Sequence, residues 1–308
     1  MKKTSKTIIY FGSGELAAKS LELLSQDFKF EAVITKPKKN DMQKNLPVFD
    51  VANKLNIPVY FASTKSGVDD IFKNNSFKSK LGLLIDFGII ISKEVIDKFK
   101  LGIVNSHFSI LPEWRGPDPI TYTILSGQGT AGVSLMKIVE KMDEGPLLSY
   151  REIDIDNKIT AEDLTEDLIH VSHRLINDTL PGYLDDKIEL IDQVLTGKII
   201  SYSKMIKKDD GIVDFKKTAL EIERQIRAFF TWPKTRFVLE NTDIIITKAH
   251  VSQKQGKQGI FFITEDGSIG FYCTEDSVII DEMIPAGRKK MSSKDYLIGQ
   301  PNLSKKLR

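Results

Sequence analysis

The sequence has a single cysteine and four histidines in 308 residues, so thiol nucleophiles and soft metal ligands are scarce. Cys273 stands alone inside the apolar run IGFYC, which excludes an intramolecular disulfide and a cysteine-rich zinc site and marks the residue as core. No apolar stretch reaches the roughly 18 residues that a membrane-crossing helix needs. The opening MKKTSKT leads straight into a strand-like run with no room for a signal or transit peptide, so a cytosolic protein is expected. Neither charge dominates, with 44 basic residues against 42 acidic ones, and the chain as a whole gives no hint of a polyanionic partner. Internal repeats and low-complexity tracts are missing too.

What is there fits an α/β protein. Apolar residues make up 41% of the chain, enough to fill proper cores in two domains or one large unit. Runs rich in Ile, Val and Phe at 7–11, 28–35, 59–61, 81–85 and 103–106 alternate with helix-length amphipathic segments, the rhythm of a Rossmann-like, mostly parallel sheet. A helix is expected over 161–184, capped by Thr160 with Asp163 in its first turn. Period is lost near 187–207, then a helix (TALEIERQIRAFF) precedes five short alternating runs split by turn signals, as in a small OB-like β-barrel. The expected division is a catalytic domain at 1–188, a linker at 189–206 and a barrel domain at 207–308. Residues 206–308 carry 18 basic and 14 acidic side chains, which makes this third the basic part.

The first glycine-rich stretch, YFGSGELAAKS, has Gly12, Gly14 and Ala17 in a G-x-G-x-x-A pattern after a strand, as dinucleotide sites do. Such a site also wants an acidic residue at the end of the second strand, where this chain has Lys36, Lys38 and Lys39. A lone pattern of this kind more often marks a tight turn with close backbone approach.

A richer constellation lies in GIVNSHFSILPEWRGPDPI. Asn105 and His107 end an apolar strand and, being two apart, share a face at the edge where open α/β sheets bind ligands. A carboxamide beside an imidazole can polarise a carbonyl and stabilise the charge it gains under attack. Farther on, VSLMKIVEKMDEGPLL supplies Asp143 beside Gly145; a carboxylate folded back onto His107 would favour its charged form and relay a proton. Read blandly, these are a satisfied polar residue and a turn. Glu166, His170 and His173 on one helix face read as a solvated face rather than a metal site, and His250 has no acid near it in sequence.

The stretches NSHFSILPEWRGPDPI and GVSLMKIVEKMDEGPLL resemble the two signatures of the folate-dependent formyltransferases, in order and at the right separation. FGSGELAAKSLELL, IRAFFTWPKTRF and MIPAGRKKMSSKDYLIG extend the likeness to the branch of the family that acts on initiator methionyl-tRNA in translation initiation. The resemblance implies that Asn105, His107 and Asp143 form the catalytic set. It implies that 10-formyltetrahydrofolate is the formyl donor, bound along Phe87, Gly88, Ile89, Ser109, Ile110, Leu111, Pro112, Val139, Glu140 and Met142, with no metal required. Gly12, Ser13, Gly14 and Glu15 would shape the amine-acceptor pocket. Lys36, Lys38, Lys39, Lys44, Arg288, Lys289 and Lys290 would contact tRNA, in a protein expected to be a monomer.

Two positions depart from the family pattern. Asp86 stands where a small residue is usual, and the segment after the second strand, KPKKNDMQKNLPVFD, is short and lacks arginine. Lysines there act as point charges without a bidentate fork, so a weaker or differently built tRNA grip is expected. The nearest rival is an amino-sugar nucleotide N-formyltransferase using the same donor; the basic last third favours tRNA. A nicotinamide oxidoreductase and a non-catalytic RNA-binding module are the rivals from other classes. The second would have lost one of Asn105, His107 or Asp143, and all three are present.

Overall fold

A computed structural model describes residues 6–37 and 46–307. Internal contacts group the chain into two units, one drawn from residues 1–119, 130–154 and 165–204, the other from 120–129, 155–164 and 205–308.

The elements of the N-terminal half are β1 (Thr7–Gly12), α1 (Gly14–Leu24), β2 (Lys29–Thr35), α2 (Pro47–Lys54), β3 (Val59–Phe61), α3 (Lys65–Asn74), β4 (Gly82–Ile85), α4 (Lys93–Ile96), β5 (Ile103–His107), α5 (Pro119–Ser126), β6 (Thr130–Lys137), β7 (Leu147–Asp154) and α6 (Ala161–Leu184). The seven strands form one sheet in the order β3-β2-β1-β4-β5-β6-β7. The first five are parallel, as the alternating pattern predicts, while β6 and β7 run antiparallel. Ile8, Ile9, Tyr10 and Phe11 are wholly buried, which is why β1 reads as a continuous apolar run: a central parallel strand is covered on both faces. β7 exposes alternate residues and so carries a polar, less legible pattern.

From β1 the strand order runs to β2 on one side and to β4 on the other, so the carboxyl ends of β1 and β4 flank a switch point, where open α/β sheets place ligands. β5 is the next parallel strand, with Asn105 opposite Leu84. Helix α6 opens on Thr160, whose Oγ accepts the Asp163 amide at 3.2 Å, as expected.

The second unit contains α7 (Ala219–Ala228), β8 (Thr235–Leu239), β9 (Thr242–Ser252), β10 (Phe261–Ile263), β11 (Ile269–Tyr272), β12 (Ser277–Pro285), β13 (Met291–Ser292), α8 (Ser293–Ile298) and α9 (Pro301–Lys306). Its strands pair antiparallel in the order β10-β11-β12-β9-β8, with β13 on β12, and curl as a half-barrel of OB-like type. Thr218 and Glu221 cap α7 reciprocally, and its apolar face, Ile222 and Ile226, packs on Phe237, Ile244 and Phe271. Cys273 belongs to this core, and burial pushes its thiol up to about 11.

Candidate active site

At the carboxyl end of β1 the chain turns into α1 within two residues. A Cβ on Gly12 would lie 2.6 Å from the Tyr10 ring and 2.8 Å from Ala17, and Gly14 holds a φ of +81°. Glycine here serves geometry, as the sequence suggests. The turn is tied to the end of β4: Ser13 donates its amide to the Asp86 carbonyl at 2.9 Å, and Asp86 Oδ2 lies 3.2 Å from where a Gly14 Cβ would be. Glu15 opens the helix beside these bonds.

Asp86 is solvent-accessible at its surface but lies amid dense protein at this edge. That partial desolvation pushes its carboxyl up to about 7; the Lys36 charge opposes the rise and Asp118 adds to it. Its backbone is left-handed at φ +48°, a conformation that asparagine and aspartate tolerate better than most residues. Lys36 Nζ sits over Gly88, 2.8 Å from where a Cβ would be, so this lysine faces the Asp86–Gly88 turn.

Asn105 and His107 end β5 on one face, both buried. His107 Nε2 lies 3.0 Å from the Trp114 carbonyl, an acceptor only, so this nitrogen carries a proton. Nδ1 then faces Asp143, whose Oδ1 lies 3.9 Å away. The Asn105 carboxamide stands on the same face two residues before His107, and its NH2 group carries two donors. A donor pair of this kind can hold a developing oxyanion.

Asp143 lies in the loop between β6 and β7 with φ +54°. Its Oδ2 accepts the Gly116 amide at 2.8 Å, and its own carbonyl accepts Gln193 Nε2 at 2.8 Å. The structure thus brings together Asn105, His107 and Asp143, draws in Trp114, Arg115 and Gly116 from the first signature stretch, and adds Gln193, which the sequence does not single out. Sequence spacing carries no signal for Gln193, fifty positions from Asp143.

The residues expected along the folate divide into two kinds. Phe87, Ile110 and Leu111 are buried with side chains in the core, Leu111 packing on Met136 and Leu147; only their backbone can meet a ligand. Ser109 is buried as well, its hydroxyl donating to the Glu113 carbonyl at 2.5 Å and its carbonyl accepting Ser134 Oγ at 2.8 Å. Pro112 accepts the Ser201 amide at 3.2 Å through its carbonyl. Gly88 turns with φ +62° beside Ile89, while Val139, Glu140 and Met142 are exposed.

Of the expected tRNA contacts, Lys38, Lys39 and Lys44 lie outside the described residues. Arg288, Lys289 and Lys290 are exposed on the turn before β13; Arg288 lies over the Tyr296 ring and Lys290 pairs with Glu282 at 2.8 Å. Three of the remaining polar candidates have structural partners. His173 pairs with Asp27 at 2.9 Å, Glu166 pairs with Lys19, and His250, without a nearby acid in sequence, meets Asp281 across the sheet at 2.9 Å. Among the described residues no group of three candidate metal ligands converges, and no helix is long and apolar enough to cross a membrane.

Residues 6–180 match the family model described as formyl transferase, and residues 205–301 match the formyl transferase C-terminal domain. A methionyl-tRNA formyltransferase from Herpetosiphon aurantiacus is 32% identical over 96% of this chain and 98% of its own length. One from Staphylococcus epidermidis is 28% identical over 95% of this chain and 96% of its own. Among solved structures, an N-formyltransferase from Helicobacter canadensis in complex with folinic acid and dTDP-3-aminofucose covers 90% of this chain and 99% of its own, with a TM-score of 0.66 at 23% identity, a likeness of fold.

Proposed function

Because this chain belongs to the formyl transferase family, we propose that it transfers the formyl group of 10-formyltetrahydrofolate to the α-amine of methionine esterified to initiator tRNA. The observation that carries the chemistry is the placement of Asn105 and His107 on one face at the end of β5, with His107 Nδ1 facing Asp143 at 3.9 Å. The full-length identity to methionyl-tRNA formyltransferases supports tRNA as the acceptor over a small amino sugar.

In this reading the amine lone pair forms a bond to the formyl carbon and the carbonyl oxygen takes the displaced electron pair. Asn105 donates to that oxyanion, and charged His107 adds electrostatic stabilisation. With Nε2 committed to Trp114, Nδ1 is the ring atom that moves protons, and Asp143 takes the proton lost by the attacking amine. Collapse re-forms the carbonyl and breaks the bond to the folate nitrogen, which takes a proton from His107 Nδ1 and leaves as tetrahydrofolate; the proton held on Asp143 restores the imidazolium. The Gly12–Glu15 turn and Asp86 border the acceptor side, the Gly88–Ile89 turn and the Val139–Met142 segment the folate side. The C-terminal unit holds the tRNA backbone with Arg288, Lys289 and Lys290, and the protein works as a cytoplasmic monomer.

The deciding experiment offers 10-formyltetrahydrofolate with methionyl-tRNA and, separately, with amino-sugar nucleotides. Formyl transfer to methionyl-tRNA is expected; transfer to the sugar alone would overturn the proposal. Binding of methionyl-tRNA should weaken steeply with added salt, because each phosphate contact releases counterions.

A further inference from the structure

Residues 191–203 fall within the expected linker, yet their hydrogen bonds reach both sides of His107. Ile191 exchanges two backbone bonds with Leu147, at 2.7 and 2.8 Å, docking the segment at the start of β7. Gln193 follows, only 2% exposed, and all of its polar capacity is used. Its Nε2 donates to the carbonyls of Asp143 and Gly145, each at 2.8 Å, and its Oε1 accepts Arg115 Nε at 3.1 Å and Nη2 at 2.7 Å. The Arg115 guanidinium also reaches Glu144 at 3.5 Å, so Asp143 and the two residues after it are held from one place.

Farther along, Ser201 grips the other flank. Its Oγ accepts the Trp114 amide at 2.9 Å and its carbonyl accepts the Arg115 amide at 3.0 Å. Ser203 donates its amide to the Arg115 carbonyl at 2.8 Å. Trp114, gripped by Ser201, is the residue whose carbonyl takes His107 Nε2. Trp114 and Asp143 both have left-handed backbones, at φ +53° and φ +54°. Such conformations cost free energy for non-glycine residues and persist where surrounding bonds hold them.

We infer that the 191–203 segment is a positioning strap, in which Gln193 sets Asp143 and Ser201 sets the Trp114 carbonyl, so that together they fix the His107–Asp143 geometry. The inference rests on the proposed roles of His107 and Asp143. Gln193 and Ser201 are positioning residues that act through backbone groups of the loops they hold. A neutral amide suits this position, because a carboxylate in place of Gln193 would face two carbonyl oxygens with no proton to give.

The test is Gln193→Met, which keeps length and loses all four bonds, and Ser201→Ala, which loses one. In formyl transfer from 10-formyltetrahydrofolate to methionyl-tRNA, Gln193→Met is expected to lower kcat by about 100-fold while KM for the folate changes by less than about threefold, as misplacement of a catalytic group does. Combined with Asp143→Ala it should cause no further loss, since both act through one carboxylate. Losses that multiply would overturn the strap. Should Gln193→Met fail to fold, Ser201→Ala combined with His107→Ala carries the same test. The imidazole 15N signals of His107 give a reading that needs no acceptor: their chemical shifts at one fixed pH should move in both strap variants, and unmoved shifts overturn the inference. If Asp143→Ala turns over normally, the proposed site falls; if it is disabled while both strap variants match the parent, only the strap falls.

Discussion

Nδ1 of His107 lies 3.9 Å from Oδ1 of Asp143, while the other oxygen of that carboxylate accepts the Gly116 amide at 2.8 Å. The second bond fixes the first relationship. A carboxylate anchored by a backbone amide has one oxygen committed, so it presents the other to the imidazole without a rotamer search.

Replacing Asp143 by Asn keeps an oxygen for the Gly116 amide and removes the charge facing His107. Turnover should fall by about two orders of magnitude or more, and His107→Ala should cost a similar amount. Single-turnover formyl transfer measures both; near-normal rates would remove the pair from the mechanism.

Gly145 follows Asp143 by two positions, and a Cβ there would lie 1.7 Å from the Lys137 carbonyl oxygen, which belongs to backbone and cannot swing away. Gly145→Ala should destabilise by about 1–3 kcal/mol and displace the loop, lowering turnover with it. Gly129, with nothing within 4 Å of its Cβ position, is the control: Gly129→Ala should stay within about 0.5 kcal/mol of the parent. Urea unfolding of the two variants checks the contrast.

The Asp86 carboxyl is raised to about 7, so between the ordinary carboxylate range and 7 the folded chain holds a proton that the unfolded chain has released. Folding stability then falls as pH rises through this window, and above it the penalty is constant. Asp86→Asn should therefore raise Tm at pH 8, with the gain shrinking as pH falls from about 7 towards 4. Thermal melts across that range give the answer; an equal gain at every pH would mean that charge is not the cause. Because solvent reaches this side chain, the effect should be modest.

Cys273 is 3% exposed and its thiol is pushed up to about 11, so little thiolate forms near neutrality and reagents cannot reach it. An Ellman reagent at pH 8 should find no fast-reacting thiol in the folded protein and one per chain in guanidinium. Rapid labelling of the folded form would contradict the packing.

The parallel sheet, the β1 turn and the shared face of Asn105 and His107 are legible in the sequence because each rests on local periodicity or on one strand's alternation. Asp143 is found by its motif, but its bond to Gly116 spans 27 positions, beyond anything a pattern reports. Gln193 escapes a sequence reading because its neighbours, Val194 and Leu195, are exposed apolar residues in a stretch without period, and its burial comes only from tertiary contact. The half-buried β7 and the partner of His250 are hidden for the same reason: cross-strand neighbours are set by register. Asp86 is unusual in type already in the sequence, but its raised carboxyl depends on the protein mass that the β1 and β4 turns gather around it.

The bonds that set His107 and Asp143 close chain separations of 50 residues from Gln193 and 87 from Ser201. Loops of that size are the entropically slow ones to close, whereas contacts within a helix are local. Recovery of activity on refolding thus counts only chains that have completed these closures, while far-ultraviolet dichroism counts every chain with its helices formed. On a growing ribosomal chain, likewise, His107 and Asp143 can be fully synthesised by residue 143 and still await roughly sixty more residues before they are held in place.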